Sequence, residues 1–223
     1  MLTPIAPGIW HAQRDLKVAG IAATSRMTVI QLADGGLWLH SPILIDEALR
    51  AALAAIGPVN YVVAPNKVHH LFAKKCLAMY PQARLFGAPG LEEKRPDLPM
   101  TALTNDAPTE WAGQIGQVFM AGIPRVNETV FFHVASGTAI VTDICQLWTG
   151  PLGWKESVLA YLTGVRHALT VPRTVRLIIQ DKAALRTSAL QVLAWPVKRV
   201  VVAHNSIVED DAHAALTRAL GAI

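Results

Sequence analysis

Charge is scarce in this chain. Asp, Glu, Lys and Arg make up 16% of its 223 residues, and apolar residues make up 52%. Disordered segments carry the opposite balance, because too little apolar surface cannot offset the entropy of ordering. The composition therefore predicts a packed core. Basic residues outnumber acidic ones by 20 to 16, a formal net charge of +4. That surplus is scattered, at Lys74-Lys75, Lys94-Arg95 and Lys198-Arg199 among others. It forms no dense stripe of the kind that neutralises a phosphate backbone, so no nucleic-acid partner is expected.

Cysteine is nearly absent. Cys76 and Cys145 both sit in apolar surroundings and read as buried thiols of a reducing compartment. The N-terminal "MLTPIAPGIW" has neither the basic n-region nor the apolar h-region of a signal peptide. No apolar run reaches the roughly 20 residues of a membrane span. A cytoplasmic protein without a span is the expectation. A Gly-rich phosphate loop and a Gly-x-Ser-x-Gly elbow are also missing, which removes two common nucleotide and hydrolase readings.

What is present reads as alternating elements. "MTVIQLADGGLWLHSPI" has apolar runs on both sides of Asp-Gly-Gly, a hairpin signal. Asp46 opens a helical spacing that Gly57-Pro58 closes. "VNYVVAP" and "ARLFGAP" read as buried strands, with "HHLFAKKCLAMYP" a helix between them. Residues 89–112 are Pro-rich loop with a turn of helix. "QIGQVFMAGI", "ETVFFHVA" and "TAIVTDI" predict three more strands, with Ala-Ser-Gly turning between the last two. Helices follow over "WKESVLAYLTGVRHAL" and over "DKAALRTSALQVLAW", capped by Asp181. "KRVVVAH" is a late strand, and "EDDAHAALTRALG" a closing helix with acids in its first turn. Two sheets sandwiched between helices satisfy this order, as one domain over residues 1–223. Six Trp, several of them between Trp148 and Trp195, predict either core packing or a surface for homo-oligomer contact in the C-terminal third.

Of eight histidines, His69 and His70 follow the strand ending at "VVAP", and His204 ends "VVVAH". Asp143 ends "TAIVTD". Ligand sites in open α/β folds gather at strand carboxyl ends, and His with Asp suits zinc, manganese or iron. His40, in "LWLHSP", is a fourth strand end of lesser weight.

These segments resemble the metallo-β-lactamase superfamily, and specifically a little-characterised bacterial branch with a degenerate metal motif. The resemblance runs from Arg26 to His204, through "RMTVIQLADGGLWLHSP", "GPVNYVVAPNKVHHLF", "YPQARLFGAPGLEEKRPDL", "ETVFFH", "TAIVTD" and "VVVAH". It implies an α/β fold, a four-layer αββα sandwich with metal at one edge of the sheets. The superfamily's His-x-His-x-Asp-His motif falls on Pro65, Lys67, His69 and His70. The middle His position falls in Gly122-Ile123-Pro124, and the later Asp and final His fall on Asp143 and His204. One metal position thus loses its ligands, and the other keeps ligand-type residues. The resemblance implies a mononuclear centre on His70, Asp143 and His204, with His69 as a further ligand and His40 supporting them. Zinc is the first expectation for the single ion, with iron or manganese next. The implied activity is metal-dependent hydrolysis of a small substrate. The alternative is a catalytically silent member, without metal, that binds a ligand or a protein.

Overall fold

Period-two alternation decides which way each strand faces. The computed structural model describes residues 1–18 and 20–223, and their side chains except that of Val18. Among these residues the strands form two sheets. The first holds seven in chain order: β1 (Thr3–Ala6), β2 (Ile9–Val18), β3 (Ile21–Gln31), β4 (Leu37–His40), β5 (Val59–Ala64), β6 (Arg84–Gly87) and β7 (Met100–Ala102). Strands β1 to β4 run antiparallel, and β4 to β7 run parallel. The second sheet has the order β12 (Ile207–Val208), β11 (Arg199–Val202), β10 (Thr138–Val141), β9 (Thr129–His133), β8 (Ile115–Phe119).

On the first sheet Leu39, Val62 and Leu85 face one way, against Leu49 and Leu53 of helix α1 (Glu47–Ala54) and Cys76 of α2 (Ala73–Met79). Their neighbours Trp38, Val63 and Phe86 face the other way and meet Phe131 and Ile140 of the second sheet. On that sheet Phe132 and Val141 point outward again, to Leu185 and Val192 of α6 (Lys182–Leu193) and Leu216 of α7 (Ala212–Gly221). The result is the expected helix–sheet–sheet–helix sandwich, with its central core between the sheets. Short helices α3 (Leu91–Lys94), α4 (Trp154–Thr163) and α5 (Arg173–Arg176) complete the chain.

Several boundaries differ from the sequence reading. The helix expected from His69 begins only at Ala73, because Asn66 organises residues 66–69 into a turn. Helix α4 stops at Gly164, which takes the left-handed conformation at φ 84°. Strand β7 and helix α5, at three and four residues, are too short to leave a periodic signal in the sequence. The acids before α7 lie ahead of its first turn, and Asp211 makes no side-chain cap bond. The predicted caps Asp46 and Asp181 do form, accepting from the Leu49 and Ala184 amides at 2.9 Å. Both cysteines are buried and unpaired with each other.

Candidate metal centre

Three strand ends bring polar side chains to one edge of the sandwich. After β5 the chain enters Pro65 and Asn66. Asn66 is fully buried, and its Oδ1 accepts the amides of Val68 (2.8 Å) and His69 (2.7 Å). A short amide that bonds its own backbone two and three residues on makes a turn in place of a helix. Its Nδ2 donates to Thr142 Oγ1 and to Asp143 Oδ2, both at 2.8 Å. One side chain thereby ties the loop after β5 to the end of β10.

Asp143 lies just past β10. The backbone there is held by Glu128, a carboxylate only 1% exposed. It accepts the successive amides of Thr142, Asp143 and Ile144 at 2.7, 2.7 and 2.9 Å. Burial pushes the Glu128 carboxyl up, and the nearby charge of Asp143 adds to that; the Thr142 and Ile144 bonds act in the opposite sense. On its other oxygen, Asp143 Oδ1 accepts from Gln146 Nε2 at 3.2 Å.

His204 follows β11 by two residues. Its Nδ1 lies 2.6 Å from the Thr24 carbonyl oxygen. A carbonyl only accepts, so Nδ1 carries a proton and donates it to Thr24, which turns Nε2 toward Asp143. Behind it the buried Arg26 guanidinium donates to the carbonyls of Val202, Asn205 and Ser206 and fixes this strand end. Burial pulls that guanidinium down to about 10.

The three groups converge. His69 Nε2 and His204 Nε2 are 3.2 Å apart, and each lies 3.5 Å from an oxygen of Asp143. One ligand atom from each residue falls within 4.8 Å of the others, a group of the kind that holds a metal ion. Ser41 Oγ sits 2.7 Å from His69 Nδ1 and orients the ring so that Nε2 faces His204. Ser41 adopts φ 54° at the turn after β4, which aims the hydroxyl there. Burial raises the Asp143 carboxyl, but the two histidines outweigh it and hold the group well below the usual carboxylate range. Burial likewise lowers His204, and Asp143 more than offsets it, leaving His204 above the ordinary histidine value.

His70 is not in this group, although the resemblance puts it first among the ligands. Its Nδ1 lies 3.0 Å from Arg95 Nη1. Guanidinium only donates, so Nδ1 accepts and the proton sits on Nε2, which is buried without a partner. Burial lowers its pKa, and the charges of Lys94 and Arg95 lower it further. His40 does not join the group either. It stacks on Trp38 at 5.6 Å and meets the edge of Phe131 at 5.4 Å, with both ring nitrogens unpartnered. Burial pushes it down to about 3, so it is a neutral core group beneath the site.

Lys67 and Gly122, at positions where the resemblance would place ligands, make other contacts here. Lys67 Nζ donates to the Pro124 carbonyl at 3.3 Å. Gly122 packs against α6 so tightly that a Cβ would lie 2.1 Å from the Asp181 oxygen. Asn66, Glu128 and Ser41 escaped the sequence reading. Their only signal was polarity within otherwise apolar strand ends, as in "VAPNK".

Above the group opens a cavity of about 350 Å³. His69, Asp143 and His204 lie in its wall, with Leu16 and Ile21 from the β2–β3 hairpin, Val68 and Leu71 after β5, Trp148, and Leu159 of α4.

The fold has counterparts among solved structures. The chain is similar to a metallo-β-lactamase from Erythrobacter litoralis, with 14% identity and a TM-score of 0.69 over 100% of this chain and 96% of that one. It is similar to FIM-1 from Pseudomonas aeruginosa, with 12% identity and a TM-score of 0.66 over 100% and 95%. A third likeness is to the Flv1 flavodiiron core of Synechocystis, with 13% identity and a TM-score of 0.66 over 100% of this chain and 60% of that one. At such identities the likeness concerns the fold alone. No curated protein matches the sequence. A family model described as "Domain of unknown function (DUF4336)" matches residues 7–151, more than half of the chain. The chain thus belongs to the DUF4336 family, and its fold is that of the metallo-β-lactamases.

Proposed function

We propose that this protein holds one divalent metal ion on His69, Asp143 and His204 and uses it to hydrolyse a small substrate bound in the cavity above. The observation that carries the reading is the spacing of the donor atoms. A tetrahedral zinc with bonds of about 2.0–2.1 Å has ligand–ligand edges of about 3.3–3.4 Å. Here the two Nε2 atoms are 3.2 Å apart, His69 Nε2 lies 3.5 Å from Asp143 Oδ2 and His204 Nε2 3.5 Å from Asp143 Oδ1, and one donor atom from each residue falls within 4.8 Å of the others. Two imidazoles and a carboxylate are also the donor set that zinc, iron and manganese share.

The supporting bonds fit the same reading. His204 is oriented by Thr24, His69 by Ser41, and Asp143 by Asn66 and Gln146. Ligands held by outer partners in this way are preorganised. The loops around Lys67 and Gly122 offer no second set of donors, which favours one ion over two. FIM-1 has been crystallised in a mono-zinc form, so a single zinc is compatible with this fold. When bound, such an ion supplies Lewis acidity and lowers the pKa of a coordinated water. The protein's own part is to seat the substrate against the apolar wall and to hold the two Nε2 atoms and the Asp143 carboxylate turned toward one another.

The test is zinc loading followed by desalting and elemental analysis, then a panel of esters, lactones and phosphodiesters. About one equivalent of zinc, absent in Asp143→Ala, supports the centre. Stable zinc without turnover of any substrate in the panel would favour a binding role over hydrolysis.

A further inference from the structure

The cavity wall says what kind of molecule it takes. Its residues come from the β2–β3 hairpin, the loop after β4, the segment before α2, and α4. Among the described residues that line it, none is Lys or Arg. The one carboxylate is Asp143, and the remaining polar groups are Ser25, Ser41, Gln146 and the two histidines. The protein's positive surplus is directed elsewhere. Arg26 is committed to the carbonyls of Val202, Asn205 and Ser206, and Arg166 to those of Trp148 and Gly150. Arg14 pairs with Asp46, and Lys74 and Arg95 both pair with Asp97.

An anionic ligand entering this cavity would bring its charge into an apolar wall that holds no Lys or Arg, beside a carboxylate that already pairs with His204. Burying an unpaired charge costs far more than burying an apolar chain gains. A neutral ligand with an aliphatic tail meets Leu16, Ile21, Leu71 and Leu159 and loses nothing. The volume of about 350 Å³ lies at the small end of ligand cavities, roughly 300–1,000 Å³. We infer that the substrate is a small, uncharged molecule with an aliphatic tail, its reacting carbonyl at the His69–Asp143–His204 end. The position of the carbonyl rests on the proposed metal centre; the neutrality and the tail rest on the cavity wall alone.

The two can be tested apart. Metal-stripped protein is titrated with linear alcohols from propanol to octanol, and with carboxylates of the same lengths, by ligand-detected NMR. The alcohols should tighten about three- to fourfold per methylene until the cavity is full. Each carboxylate should bind at least about tenfold more weakly than its alcohol. Leu71→Lys places a cation at the rim; Leu71 is 61% exposed, so the fold is not at stake. This variant should narrow the gap. No chain-length dependence, carboxylates binding as well as alcohols, or no alcohol binding would each overturn the inference. Zinc content after loading and desalting a separate portion reads the metal centre on its own, and a failure to load would leave the alcohol series unchanged.

Discussion

His69 and His70 share a peptide bond and nearly the same burial, at 7% and 4% exposed. One faces His204 and Asp143, and the other faces Arg95. Residue type is identical, so direction alone separates them. That direction is set by Asn66, whose Oδ1 takes the His69 amide and curls the chain before α2 begins. The surroundings then complete the division. His69 meets a carboxylate and a second imidazole, whereas His70 meets cations that oppose any further positive charge. A metal motif is therefore a statement about a turn as much as about ligand letters.

The comparison can be broken at several points. Asp143→Ala removes the shared anion and should weaken zinc binding by about a thousandfold or more, since neutral imidazoles alone must then hold the ion; calorimetric zinc titration measures it. Asn66→Ala attacks the turn itself. It leaves the Val68 and His69 amides without their acceptor, which should cost about 3 kcal/mol in chemical denaturation. Zinc affinity should fall with it by about 10–100-fold. Glu128→Gln keeps the shape but puts an amide N–H₂ in place of one accepting oxygen, facing the Thr142 amide or those of Asp143 and Ile144. A loss of about 2–3 kcal/mol and a smaller loss of zinc affinity are expected. A fully stable variant would show that Glu128 does not hold the Asp143 turn.

Smaller effects follow from pH. In metal-free protein Asp143 is lowered and His204 raised. The stability from His204 is fully present below about pH 6.5 and is lost as pH rises through its raised value. The stability from Asp143 is lost as pH falls through its depressed value. Asp143→Asn should erase both dependences. Zinc affinity has the opposite slope on the alkaline side, because the ion needs the unprotonated ring. His40 behaves as an ordinary buried neutral group. Its pKa of about 3 means that acid favours the unfolded chain, by about 1.4 kcal/mol at pH 5.5. His40→Leu loses no hydrogen bond and should shrink the stability difference between pH 7.5 and 5.5 by that amount.

The layers were legible because the order of apolar runs and helical spacings is clear, and runs apolar on both faces belong to strands covered on both sides: Trp38 and Leu39, Val62 and Val63, Leu85 and Phe86 each split between two cores. The strand ends at Asp143 and His204 were legible because a polar residue closing an apolar run must be paired, capping or ligating to offset its desolvation. The choice between His69 and His70 was not legible. It depends on the Asn66 turn, and adjacent residues carry no periodic signal for it. The orientation of His40 was not legible either, because a histidine beside Trp38 at a strand end reads the same whether it faces the core or the site. Glu128 was hidden because its partners are backbone amides, which no sequence pattern displays.

The most direct measurement is zinc stoichiometry after loading and desalting, compared between His69→Ala and His70→Ala. About one equivalent is expected in the parent protein and in His70→Ala, and none in His69→Ala. Retention by His69→Ala with loss in His70→Ala would contradict the His69–Asp143–His204 centre.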